Sequence, residues 1–244
     1  DRDALAGTQG AGAGVYGIRA LMYDFDWTSV VGGLPYLGSG MLLSLRLLVT
    51  AVAVGVVLGT VLALMRLSRY RLLSVLAGTY VNFFRSMPLV LVIFWFYFLV
   101  PIMLRGVIDN PAVGPLYSAF IAFTIFEAAF YCEIIRAGIQ SIPRGQISAA
   151  YALGMNYVQA MGHVILPQAF RNMVPLLLTQ SIVLFQDISL VYVIGLSDFL
   201  GVAAKIGQRD GRLVELYLFV AAVYFVLCFA ASQLVRRLQR RLAT

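Results

Sequence analysis

Glu127 and Asp187 lie inside long apolar runs, and Glu133 follows Glu127 by six positions. Two carboxylates that share acid–base work on a helix need a separation of three or four, which stacks them on one face; six sets them on different sides. His163 is the single histidine and has no serine or cysteine nucleophile pattern beside it. Cys132 and Cys228 both sit among apolar residues, with neither a disulfide framework nor metal-ligand spacing between them. Lys205 is the only lysine among 18 cations, and its neighbours are Ala204 and Ile206. The Gly-Lys-Ser/Thr end of a phosphate-binding loop is therefore missing, and the chain is not expected to be an enzyme, to hold a metal or to hydrolyse ATP itself. What remains is charge embedded in apolar surroundings, where a polar side chain marks a pathway or an interhelical bond.

The elements that must position these residues are membrane spans. Of 244 residues, 61% are hydrophobic and only 12% charged, against ~25% charged in soluble domains. The excess apolar side chain must face lipid. Five runs are long enough to cross a bilayer, over about 42–66, 83–104, 116–136, 172–196 and 214–236. The expected fold is an all-α integral membrane bundle. Its basic balance does not point to nucleic acid, because the cations form short clusters between uncharged runs. Loop charges orient it. One face gathers Arg66, Arg69, Arg71, Arg85, Arg136, Arg144, Arg171 and four arginines of the C-terminal tail, for a net +10; the other nets −1. The first face is cytoplasmic, with the amino terminus outside and the carboxyl terminus inside. Residues 1–21, rich in Gly and Ala without a cationic start and apolar core, do not read as a signal peptide. They are expected to be a flexible extension or upstream sequence, with Met22 a more natural start.

The connection 137–171 is about 35 residues, far longer than a bundle turn needs. Pro143 and Gly145 mark a break, Gln146 to Leu153 favours a helix, Gly154 suits a positive-φ helix end, Asn156 can cap a second short helix and Pro167 stops it. The segment holds Ser148-Ala149-Ala150, three residues, Gly154, nine residues, then Val164-Ile165-Leu166-Pro167. That spacing resembles the cytoplasmic EAA loop of ATP-binding cassette (ABC) importer permeases, with Ser148 in place of the acidic residue and Val164 in place of Ile. The runs Phe84 to Tyr97, Phe126 to Ile142 and Leu166 to Phe199 resemble the polar amino acid uptake permeases, most closely the glutamate/aspartate importers. The resemblance implies a type I importer permease fold in the bacterial inner membrane, with domain 22–244 and the loop as coupling element. It implies that Ser148, Ala149, Ala150, Gly154, Leu166 and Pro167 engage a separate ATPase dimer, which carries the ATP and Mg. A second similar permease subunit and a periplasmic amino-acid-binding protein complete the implied assembly.

Pathway candidates are Arg85, Ser86, Glu127, Gln186, Asp187 and Ser189, with Gln180 in the same span. Each has a plainer reading as an interhelical bond or ion pair, such as Arg85 with Asp187 or Arg136 with Glu133. Gly55 and Gly59 permit close helix packing, within this chain or with another. The mixed-charge stretch Asp198 to Glu215 reads as an outer loop facing water and the binding protein. The same machinery for glutamine or another polar amino acid, and an ATP-independent channel or scaffold, stand as alternatives.

Overall fold

The computed structural model describes residues 24–104 and 114–242, and the expected extension 1–21 lies outside them. The described residues form helices and no strand. Four helices are long and apolar enough to cross a membrane, and a bent pair makes a fifth span.

Helix α1 (Thr28–Leu67) runs for 40 residues, starting well before the expected span of 42–66. Its outer part contains Gly32, Gly33, Pro35, Gly38 and Gly40, a composition that reads as loop. Yet one residue in every three or four is buried from Val30 to Ala63, which is the helical period. Two of its glycines are required by close approach. A Cβ on Gly40 would sit 2.7 Å from the Asp198 carbonyl oxygen, and one on Gly59 would sit 2.8 Å from Tyr131 Cβ. The Gly55 and Gly59 pair thus serves a contact within this chain.

The expected span 83–104 is two helices. Helix α2 (Arg71–Arg85) ends at Ser86, and α3 (Leu89–Phe94) departs at 105°. Pro88 causes the break: it has no N–H to donate and it disfavours helical backbone at Met87. Helix α3 continues through a π-turn (Trp95–Leu99) into α4 (Val100–Leu104). Helix α5 (Pro115–Gln140) is the most enclosed span, with Ala119, Phe123, Ala128, Ala129 and Tyr131 fully buried.

On the cytoplasmic side, α6 (Arg144–Ala152) and α7 (Tyr157–Ala160) form the expected helix, turn and helix. The expectation that Pro167 stops the second helix is overturned. After α7 a π-turn (Met161–Ile165) leads directly into α8 (Leu166–Asp187), so helical structure is continuous from Tyr157 to Ile194, its last turns being 3-10 (Ile188–Ile194). Proline in a helix clashes with the carbonyl four residues back. Both π-turns lie just before a proline, Pro101 or Pro167, where a widened turn relieves that clash.

The stretch expected as a water-facing loop is a packed helix, α9 (Phe199–Asp210). Phe199, Val202, Ala203 and Ile206 join Val30 and Leu37 of α1 and Leu216 and Val220 of α10 (Leu213–Leu242) in an outer core. Asp198 caps α9: its carboxylate accepts from Gly201 N at 2.9 Å and Leu200 N at 3.2 Å. Ser44 Oγ of α1 accepts from Phe199 N at 3.1 Å. Asp26 N and Arg212 Nη1 both donate to the fully buried Glu215, which ties the start of α1 to the start of α10.

Candidate functional site

Two polar pairs join α5 to α8 in mid-bundle. Glu127 is fully buried, and both its carboxylate oxygens accept from Gln180 Nε2 at 3.2 Å. One turn along, Tyr131 and Ser181 hydroxyls are 3.2 Å apart. Tyr131 was not among the sequence candidates; its signal was the four-residue step from Glu127, which places both on one helix face. Glu127 therefore takes its plainer reading, an interhelical bond, and is withdrawn from open space.

Arg85 ends α2 at the broken span, where helix carbonyls favour a cation. Its guanidinium lies 5.5 Å from the Phe130 ring centroid, a cation–π contact. The expected pairing with Asp187 is absent among the described residues. Asp187 is the last residue of α8, where α-helix tightens to 3-10, and it is half-buried without an ion-pair partner among the described residues. Gln186 is exposed, and its carbonyl accepts from Ser189 Oγ at 2.7 Å. Ser86 is exposed and donates to the Asn82 carbonyl at 2.7 Å. The six pathway candidates thus divide between a locked pair partner, Glu127, and polar groups at the two helix discontinuities.

At the cytoplasmic end, Glu133 receives Arg136 of its own helix, as expected, and also Arg66 of α1. Arg66 was not anticipated, although it ends the charge-free run Leu47 to Met65 and so had to lie at that boundary.

In the connection 137–171, Gly154 has φ +79, Gly154 N donates to Tyr151 O at 2.9 Å and Met155 N to Ala150 O at 3.1 Å, a Schellman-type end for α6. Asn156 and Gln159 then form a reciprocal capping box that starts α7. Ser148 and Ala149 are exposed, and Ala150 is buried. Leu166 and Pro167 open α8 beyond the π-turn, next to the buried Ile165. Around the turn, Tyr151, Leu153, Tyr157 and Val158 are exposed, Leu153 at 79% and Val158 at 76%. They flank a groove of about 320 Å³ lined by Leu153, Gly154, Met155, Gln159 and His163. His163 Nδ1 is 3.1 Å from the Gln159 carbonyl, so the ring serves the helix.

The family model described as binding-protein-dependent transport system inner membrane component matches residues 55–244. The chain belongs to that family. This inner-membrane component is 57% identical over 224 residues, 91% of the chain, to a glutamate/aspartate import permease protein of Escherichia coli O6:H1, covering 100% of that relative. It is 32% identical to an arginine transport system permease protein of Bacillus subtilis over 90% of the chain and 98% of the relative. Among solved structures, an amino acid ABC transporter crystallised with histidines aligns with a TM-score of 0.82 at 34% identity, over 90% of this chain and 100% of that one. A methionine ABC transporter shares the fold at a TM-score of 0.65 and 20% identity, over 84% of this chain and 97% of that one. The inner-membrane component is thus a multi-pass permease with the type I importer fold, as its sequence led us to expect.

Proposed function

We propose that this permease imports the acidic amino acids glutamate and aspartate, driven by a separate ABC ATPase dimer and supplied by a periplasmic binding protein. The observation that carries the substrate is the 57% identity to a glutamate/aspartate import permease along that protein's whole length. The geometry agrees with it. A dicarboxylate needs cations, and buried carboxylates facing its path would repel it. Glu127 is enclosed and bonded to Gln180, whereas Arg85 is exposed at the break in the second span and makes no ion pair among the described residues. Arg85 is the group that receives a substrate carboxylate, with Ser86, Gln186 and Ser189 as hydroxyl and amide partners and Asp187 the acceptor for the α-ammonium.

The cytoplasmic turn supplies the other half of the function. Exposed Tyr151, Leu153, Tyr157 and Val158 form an apolar patch beside a shallow groove, the surface expected of a docking site. The ATPase seats against Ser148, Ala149 and Gly154 of this turn, with Ala150, Leu166 and Pro167 holding it in shape from behind. ATP and Mg belong to the ATPase, and a second similar permease subunit completes the pathway.

Vesicles holding the permease pair, ATPase and binding protein should take up glutamate and aspartate only with ATP. Arg85→Gln should lower that uptake by roughly 10- to 100-fold, the factor for one charge-assisted hydrogen bond of ~1.5–3 kcal/mol. Uptake of glutamine in place of glutamate would reassign the substrate, and uptake without ATP would end the importer reading.

A further inference from the structure

Outside the sites described so far, a cleft of about 330 Å³ opens between α1 and α9 on the outer side. Val202 and Ile206 form its apolar floor, Tyr36 and Ser39 of α1 one wall, and Lys205 and Arg209 of α9 the other. Lys205 Nζ donates to Ser197 Oγ at 2.6 Å and to the Gly195 carbonyl at 3.3 Å, and it makes no direct ion pair among the described residues. Arg209 pairs with Asp210 at 2.6 Å while its side chain stays 68% exposed.

A third cation shares this face of α1. Arg46 is exposed, and it follows Ser39 by seven residues, two turns on one helix face. No carboxylate among the described residues pairs with it. It lies near the outer end of the span expected over 42–66, at the border of the charge-free run that begins at Leu47, with exposed Leu42 and Val49 around it. Every Cα–Cβ bond of a helix tilts toward its N-terminus, which for α1 is the outer end. The Arg46 stem therefore rises toward the cleft, as arginines near a membrane surface do.

We propose that the α1–α9 cleft and Arg46 together hold the phosphate of an anionic phospholipid of the outer leaflet, its acyl chains lying along the exposed apolar face of α1. An apolar floor, a tyrosine at the membrane surface and three cations graded in depth match an amphipathic anion. An acidic protein surface can meet Lys205 and Arg209 but cannot follow Arg46 down to the lipid edge. The inference rests on the orientation set by the arginines and not on which amino acid is carried.

The test is native mass spectrometry of the importer complex from nanodiscs containing phosphatidylglycerol or phosphatidylcholine. The unaltered complex should retain phosphatidylglycerol preferentially, and Arg46→Gln with Lys205→Gln and Arg209→Gln should lose roughly tenfold or more of that retention. If the triple variant does not fold, Lys205→Gln with Arg209→Gln, both at exposed positions, should still show a loss of a few fold. Equal retention of both lipids, or unchanged retention in either variant, overturns the proposal. So does efficient cross-linking of a cysteine placed at Ser39 to the binding protein or the second permease. Amino acid uptake measured on the same samples fails or succeeds independently of lipid retention.

Discussion

Asp198 is a carboxylate used for structure in a place where water is excluded. It is fully buried between α1, α9 and α10, and it caps α9 through two backbone N–H groups. Burial pushes its carboxyl up from 3.8 to about 6, against the opposing pull of those N–H bonds and Lys205. A raised value in the folded state means that folding favours the protonated form. The contribution of Asp198 to stability is then complete below about pH 4 and fades as pH rises through 6, by on the order of 3 kcal/mol for a shift of about two units. Asp198→Asn keeps a good capping residue and cannot ionise. The protection factor of α9 amides, that is, exchange corrected for its intrinsic pH dependence, should rise with acidification from pH 7 to 4.5 in the unaltered protein and should be nearly flat in the variant. A variant that kept the full pH dependence would assign it to another group. The mid-bundle carboxylate differs in kind, because Glu127 is matched by a side-chain partner on another helix, Gln180.

Helix pairing in this molecule depends on the absence of side chain at chosen points. Gly59 lets α1 approach α5 until Tyr131 Cβ and Cys132 N are within 3 Å of where a Cβ would stand. Gly59→Val should destabilise the bundle by about 1–3 kcal/mol, the usual cost of overpacking. By moving α1 outward it should also loosen the Arg66–Glu133 ion pair. Thermal unfolding in detergent checks the first, and a further Glu133→Gln change that costs little in this background but more in the unaltered protein checks the second. The same glycines show what could be read from the residues alone. The cores of the first and last spans were legible because lipid demands uncharged runs of about this length, while the spans that carry Glu127 and Asp187 were legible only as mostly apolar runs. The cytoplasmic turn was legible because Gly154 and Asn156 carry out tasks that few residue types perform. Helix α9 was not, since its twelve residues are too few to cross a membrane and mix small buried residues such as Gly201, Ala203 and Gly207 with the charged Lys205, Arg209 and Asp210. The outer part of α1 was hidden in the same way by four glycines and Pro35. A proline such as Pro88 marks a weak point in a helix, but the angle of the break depends on how α2 packs against α1 and α5, which no local pattern records.

For the molecule as a whole, charge and exposed apolar surface divide the labour between its two sides. Net charge is +10 on the cytoplasmic side and −1 outside, and the exposed Leu153 and Val158 lie on the basic side. On the proposed function, membrane insertion depends on the spans and the arginines, and ATPase engagement on the turn. Leu153→Asp with Val158→Asp should therefore leave insertion and folding intact while removing co-purification of the ATPase and ATP-dependent uptake. Retained co-purification would move the docking surface elsewhere. The unbroken run of helix from Tyr157 to Ile194 adds a mechanical consequence. At ~1.5 Å per residue it is a rod of roughly 57 Å from the cytoplasmic turn to the outer side, changing helix type only at its π-turn and its 3-10 end. Tilting such a rod by about 5° carries its far end sideways by roughly 5 Å, about one helical pitch. With the ATPase docked on the turn as proposed, a modest stroke there is carried along this helix toward Gln186 and Ser189 near its far end.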